Sequence, residues 1–142
     1  MTPKEYMSQA RYLDERINSK IQQITSLNEL ATKCTSTLSD MPKNPNKTAS
    51  QMENAIINII SLEEEINKDI DSLVDLKREI MRTIKRLSCT EYQILLEKRY
   101  LCFLSWEKIA VDLNFSIQHT YRIHDEALKK ISIFLKDESK CD

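Results

Sequence analysis

The sequence predicts an all-α protein, a long antiparallel coiled-coil hairpin followed by a small C-terminal helix–turn–helix domain. Three observations predict it. The 142 residues contain no glycine, where average usage would supply roughly ten. A chain without the residue that permits tight turns has few connections. Within the first 87 residues, two segments carry apolar side chains at alternating steps of four and three, as helices packed along a seam do. The last third has the spacing of two helices crossing at a tight corner.

The first helix is predicted from Pro3 to Leu38. Thr2-x-x-Glu5 reads as a capping box, and Pro3 sits where its missing N–H leaves no hydrogen bond unmade. The seam runs Tyr6, Ala10, Leu13, Ile17, Lys20, Ile24, Leu27, Ala31, Cys34, Leu38, with Lys20 its one polar break and Ile21 and Leu30 widening it. Ser39 to Ala49 is a polar loop holding Pro42 and Pro45, long enough to reverse the chain. The second helix is predicted from Gln51 to about Leu87, opened by Ser50-x-x-Glu53. Its seam reads Met52, Ile56, Ile59, Glu63, Ile66, Ile70, Leu73, Lys77, Ile80, Ile84, Leu87, broadened by Leu62 and Leu76. These stripes are wider than a two-stranded seam needs. Residues 1–87 are therefore expected to form a homo-oligomer or to dock on another protein.

A second division, residues 88–142, opens with a third capping box, Ser88-x-x-Glu91, and holds all the aromatic residues except Tyr6 and Tyr12. Ile109, Ala110 and Leu113 share a face, and Ala110 is small where a second helix must cross. Asn114 stands at a turn that calls for positive φ, Phe115 fills the corner and Ser116 is placed to cap the next helix. Thr120, Ile123, Ala127 and Ile131 form that helix's inner face; His124 belongs at its inner edge. Gln118, His119, Tyr121, Arg122 and Asp125 are left outside. A capped helix with long polar side chains on its first outer turns is what a major-groove reader of double-stranded DNA needs. The helix from about Ile117 to Leu135 is thus the candidate recognition helix. Gln118, His119, Tyr121 and Arg122 are candidates for base-edge and backbone contacts, and Ser116 and Lys108 for phosphate. Arg122 is the candidate for a fork contact with guanine, against the plainer expectation of an ion pair with Glu126 one turn on. Lys77, Arg78, Arg82, Lys85 and Arg86 form a basic cluster at the end of the second helix, placed to reach further phosphates.

Leu95, Arg99-Tyr100, Ser105-Trp106-Glu107-Lys108-Ile109-Ala110, Leu113-Asn114-Phe115-Ser116, Tyr121-Arg122-Ile123-His124 and Ala127-Leu128 resemble region 4 of bacterial sigma factors. They look closer still to phage and prophage proteins with a sigma-70 region 4-like C-terminus, among them the ArpU-type and RinA-type late transcription regulators. The resemblance covers about the last 55 residues specifically; the rest matches only in kind, as a long helical arm. It implies transcriptional control in a mobile element.

The net charge of −1 works against a strongly DNA-binding surface. Neither division is basic: residues 1–87 carry 13 Lys+Arg and 13 Asp+Glu, and residues 88–142 carry 8 and 9. Binding is therefore expected to be helped by oligomerisation or by RNA polymerase. Two rival readings follow. One is a mimic that grips polymerase, as sigma region 4 does at the β-flap, and touches DNA little. The other is a small-terminase-like packaging subunit, a family whose DNA-binding part precedes its hairpin, the reverse of the order here. No enzyme activity, cofactor or metal site is expected: glycine-rich phosphate loops are excluded, no nucleophile–base set has supporting context, and His119 and His124 lie five apart. Cys34, Cys89, Cys102 and Cys141 have no metal-ligand spacing, and no signal peptide or membrane-length apolar run is visible. The expected setting is cytoplasmic, with reduced thiols and no membrane partner.

Overall fold

The computed structural model describes residues 1–37 and 45–140, with side chains for 1–33 and 49–138. All regular structure among them is helical: α1 (Pro3–Thr37), α2 (Pro45–Lys85), α3 (Thr90–Leu96) running into a π-helical turn (Glu97–Leu101), α4 (Trp106–Leu113) and α5 (Ile117–Lys140). Leu38, loop positions 39–44 and Cys141 lie outside what is described, as does the side chain of Cys34. The chain packs as two compact units, Met1–Leu13 with Leu73–Asp142, and Asp14–Ser72.

The first capping box forms as predicted. The Thr2 N–H donates to Glu5 Oε2 at 3.0 Å, and the Glu5 N–H to Thr2 Oγ1 at 3.2 Å. The other two do not open helices. α2 begins at Pro45, so Ser50 lies inside it and the last part of the predicted loop is helical. Proline at a first helical position is preorganised for the helix, which makes Pro45 a start signal as strong as Ser50. At the third box, hydrogen bonds from the Arg86 N–H to Thr83 O and from the Leu87 N–H to Ile84 O tighten the end of α2, and Leu87 is drawn into the core. Cys89 then stands at the N-cap of α3, leaving Ser88 one residue early and exposed.

In the unit Asp14–Ser72, Ile17 and Ile66 are buried, and the predicted polar break is an ion pair between helices: Lys20 Nζ lies 2.6 Å from Asp69 Oδ2 and 3.7 Å from Glu65 Oε2. The α1 seam follows its prediction from Tyr6 to Ala31. The α2 seam follows its prediction at Met52, Ile59, Ile66, Leu73, Lys77, Ile80, Ile84 and Leu87, broadened by Leu62 and Leu76, and departs from it at Ile56, Glu63 and Ile70, which are exposed. Beside Ile70, Asp69 turns partly inward, where it meets the Lys20 ammonium.

The other unit holds the main core. Met7, Ile80, Ile84, Leu95, Leu96, Ile109 and Ile131 are fully enclosed, with Tyr6, Ala10 and Ala127 beside them. The Tyr6 hydroxyl bonds Thr83 Oγ1 at 3.1 Å, so this buried hydroxyl of α1 is satisfied from α2. α3 contributes Leu95 and Leu96 and then widens. The Cys102 N–H donates to Glu97 O at 3.0 Å, the five-residue bond of a π turn. That extra residue directs Tyr100 inward and sets the Arg99 guanidinium 4.5 Å from the Trp106 ring. In a chain without glycine, Phe103 (φ 59°) and Asn114 (φ 58°) take the left-handed positions at the two ends of α4. Asn tolerates this region; Phe does so at a cost, offset here by the Lys77 ammonium 4.7 Å from its ring.

Candidate nucleic-acid interface

α4 is eight residues long and held at both ends. Ser105 caps it, accepting the Lys108 N–H at 3.3 Å. At its other end Asn114 turns the chain, the Phe115 N–H returns to Ala110 O at 2.9 Å and the Asn114 N–H to Val111 O at 3.2 Å. This is a Schellman closure, and it sets Phe115 at the corner. Two residues on, the Ser116 Oγ accepts the His119 N–H at 3.1 Å and starts α5. The inner face of α5 is as predicted: Thr120, Ala127 and Ile131 are fully buried and Ile123 nearly so. Thr120 loses its hydroxyl to Ser116 O at 2.9 Å, so a polar side chain sits in the core without an unmet bond.

Beneath the second turn of α5 lies an aromatic support. The Tyr100 hydroxyl and His124 Nε2 share a hydrogen bond of 2.6 Å, and the Trp106 ring meets the His124 ring edge-on at 4.5 Å. Burial holds His124 down at about 4 and pushes the Tyr100 phenol up to about 12. Both groups are therefore neutral at ordinary pH. Asp125, 3.7 Å from His124 Nδ1, opposes the shift but does not outweigh it. Trp106 also braces Tyr121, edge to face at 5.4 Å, while the Tyr121 side chain remains exposed.

On the outer face, Gln118, Tyr121 and Arg122 are exposed and His119 is half-buried. The corner and the start of α5 enclose an open concavity of about 510 Å³, lined by Asn114, Phe115, Ser116, Gln118, His119 and Arg122. Arg122 does not pair with Glu126, whose carboxylate accepts the Tyr92 hydroxyl at 2.8 Å. Its guanidinium NH2 lies instead 2.6 Å from His119 Nδ1. Ser116, Gln118, His119 and Arg122 thus come together at one concavity, while Tyr121, exposed on the same turns of α5, rests on Trp106.

The remaining candidates are more dispersed. Lys108 Nζ is 3.1 Å from Asp112, which also meets Lys98 at 3.5 Å; hydrogen bonding from Lys108 holds the Asp112 carboxyl below its usual range. Arg86 is bound to Glu138 at 3.1 Å and lies 4.4 Å from the Phe134 ring. Glu138 is sixteen residues beyond Arg122 on one helix, about 24 Å along its axis, so Arg86 stands at the far end of α5 from the concavity. Lys77 is committed to Phe103, whereas Arg78, Arg82 and Lys85 are exposed. Sequence reasoning read Phe115 only as a corner residue and overlooked Lys98. Phe115 is also the wall against which His119 stands, edge-on at 4.6 Å. Lys98 and Lys108 meet on Asp112 only through packing of the π turn against α4, for which the sequence carries no local signal.

These features define a helical protein whose exposed, capped helix start is separated from the core by a rigid corner. The chain belongs to the DUF1492 family, described as "Protein of unknown function", whose model matches residues 35–132. Neither a curated protein nor a solved structure gives a significant match. No helix among the described residues is long and apolar enough to cross a membrane.

Proposed function

We propose that this protein is a phage- or prophage-type transcriptional regulator that binds double-stranded DNA through a sigma-region-4-like helix–turn–helix, α4 and α5, with α5 in the major groove. One observation carries the reading. The first two turns of α5 present Gln118, Tyr121 and Arg122 to solvent beside an open concavity, while Thr120 and Ile123 on the same turns are buried. We read α1 and α2 as an antiparallel arm, on the apolar seams of both helices and on the ion pair of Lys20 with Asp69 between them. Two copies joined through this arm would present two recognition helices, which compensates for the near-neutral charge.

The test is salt-titrated binding of the full chain to a duplex from upstream of its own coding region and to a scrambled duplex. Selective binding that weakens linearly with log salt is the expected result. Arg122→Ala should lose about 1–3 kcal/mol on the target alone, and Arg82→Ala should weaken both duplexes and lower the salt slope by about one. The net charge of −1 favours a second reading, a sigma mimic acting through RNA polymerase. Co-purification with polymerase and no binding to either duplex would establish that reading instead.

A further inference from the structure

We infer that His119 is a positioning residue for Arg122, so that the base preference carried by Arg122 depends on an imidazole that need not touch DNA. The inference rests on the DNA-binding reading above and concerns how that surface is prepared. A guanidinium has only donors. With NH2 of Arg122 2.6 Å from His119 Nδ1, that ring nitrogen is the acceptor of the pair. The ring is itself held. Its backbone N–H is fixed on Ser116 Oγ at 3.1 Å, and the ring meets Phe115 edge-on, with centroids 4.6 Å apart at 86°. Phe115 in turn is fixed by its N–H on Ala110 O at 2.9 Å. The chain of constraint therefore runs from the α4 carbonyls through the corner to the guanidinium.

Among the described residues, no ion pair draws Arg122 away. Glu126, one turn further on, instead accepts the Tyr92 hydroxyl at 2.8 Å. Once one N–H of NH2 is bound to His119, its second N–H and those of NH1 remain for the parallel pair of bonds that guanine O6 and N7 accept. An arginine free to rotate would reach phosphates as readily as bases. One held at the rim of the concavity has part of its freedom removed before DNA arrives, and only an acceptor at the matching position gains from that.

The experiment measures binding of the full chain to the target duplex and to variants in which each guanine pair is replaced in turn. It uses wild type, His119→Ala, His119→Asn, Arg122→Ala and the double variant His119→Ala with Arg122→Ala. Asparagine returns an acceptor close to the place of Nδ1. His119→Ala should reduce, on the order of tenfold, the preference at the one base pair that Arg122→Ala ceases to read. His119→Asn should restore most of that preference, and the double variant should be no worse than Arg122→Ala. Equal losses on target and scrambled duplexes, additive losses in the double variant, or failure of asparagine to rescue would each overturn the inference while leaving DNA binding standing. If wild type shows no preference among the duplexes, the DNA-binding reading falls and the inference with it.

Discussion

At the scale of single residues, the decisive feature is how polar groups are used once the chain has folded. His124 lies at the inner edge of α5, as its place in the sequence suggests, but its environment decides its chemistry. Burial, aided by Lys4 and Arg99 and opposed by Asp125, lowers it from the ordinary 6.5 to about 4. A base depressed in the fold has its full stabilising effect above the unfolded value. Between 6.5 and about 4 the unfolded chain takes up a proton that the native chain refuses, so stability falls as pH drops through that window and levels off below it. The loss should amount to about 3 kcal/mol. Unfolding of wild type and His124→Gln, followed from about pH 7 to about pH 4, checks this: the variant should lack that part of the slope, and parallel slopes would show that His124 is not the buried titrating group. Asn114 was legible in the sequence as a left-handed residue because few residues tolerate that conformation. Phe103 was not, because nothing in its side chain favours positive φ and only the closure of the π turn requires it.

At the scale of elements, local chemistry marked some helix boundaries and misled at others. Thr2, Pro3, Asn114 and Ser116 each perform the local task their side chains suit. Ser50 and Ser88 have the same capping chemistry but are displaced by stronger demands, a proline start at Pro45 and burial of Leu87. The α2 seam shows the same hierarchy at one position, where Asp69 rather than Ile70 turns partly inward beside Lys20. Lys20→Met alone should therefore cost about 1–2 kcal/mol, because it leaves a carboxylate only 20% exposed without its cation. Lys20→Met combined with Asp69→Leu should recover wild-type stability or exceed it. Thermal unfolding of the two variants decides the matter; equal destabilisation in both would mean that the pair contributes through something other than mutual charge compensation.

At the scale of the whole molecule, α2 carries a second apolar stripe beside its seam. Ile56 (49%), Ile57 (61%), Ile60 (50%) and Ile70 (42%) are well exposed. Ile60 and Ile70 of this stripe lie symmetrically about residue 65. In an antiparallel pair of copies, Ile60 would meet Ile70 and Glu63 would meet the Asn67 amide, an isologous surface complementary to itself. The same register brings Glu64 near its own copy across the axis, so screening should tighten the association. Light scattering of the full chain at tens of micromolar, a concentration suited to a modest interface, should report a dimer whose population rises with salt. Ile60→Lys should yield monomer, and a wild-type monomer at that concentration would refute the self-association.

The absence of glycine and the spacing of apolar residues were enough to determine an all-helical chain, the α1 seam, the corner at Asn114 and the division of α5 into inner and outer faces. These properties depend on periodicity and on the conformational preferences of single residues, both of which are local. Only tertiary structure decided which carboxylate answers Lys20, that Arg122 is held by His119 rather than by Glu126, and that Arg86 is spent on Glu138 and Phe134 at the far end of α5. Each of these is a choice among chemically equivalent partners. Such a choice is settled by which groups packing brings within hydrogen-bond reach, and by which acceptors other donors have already taken.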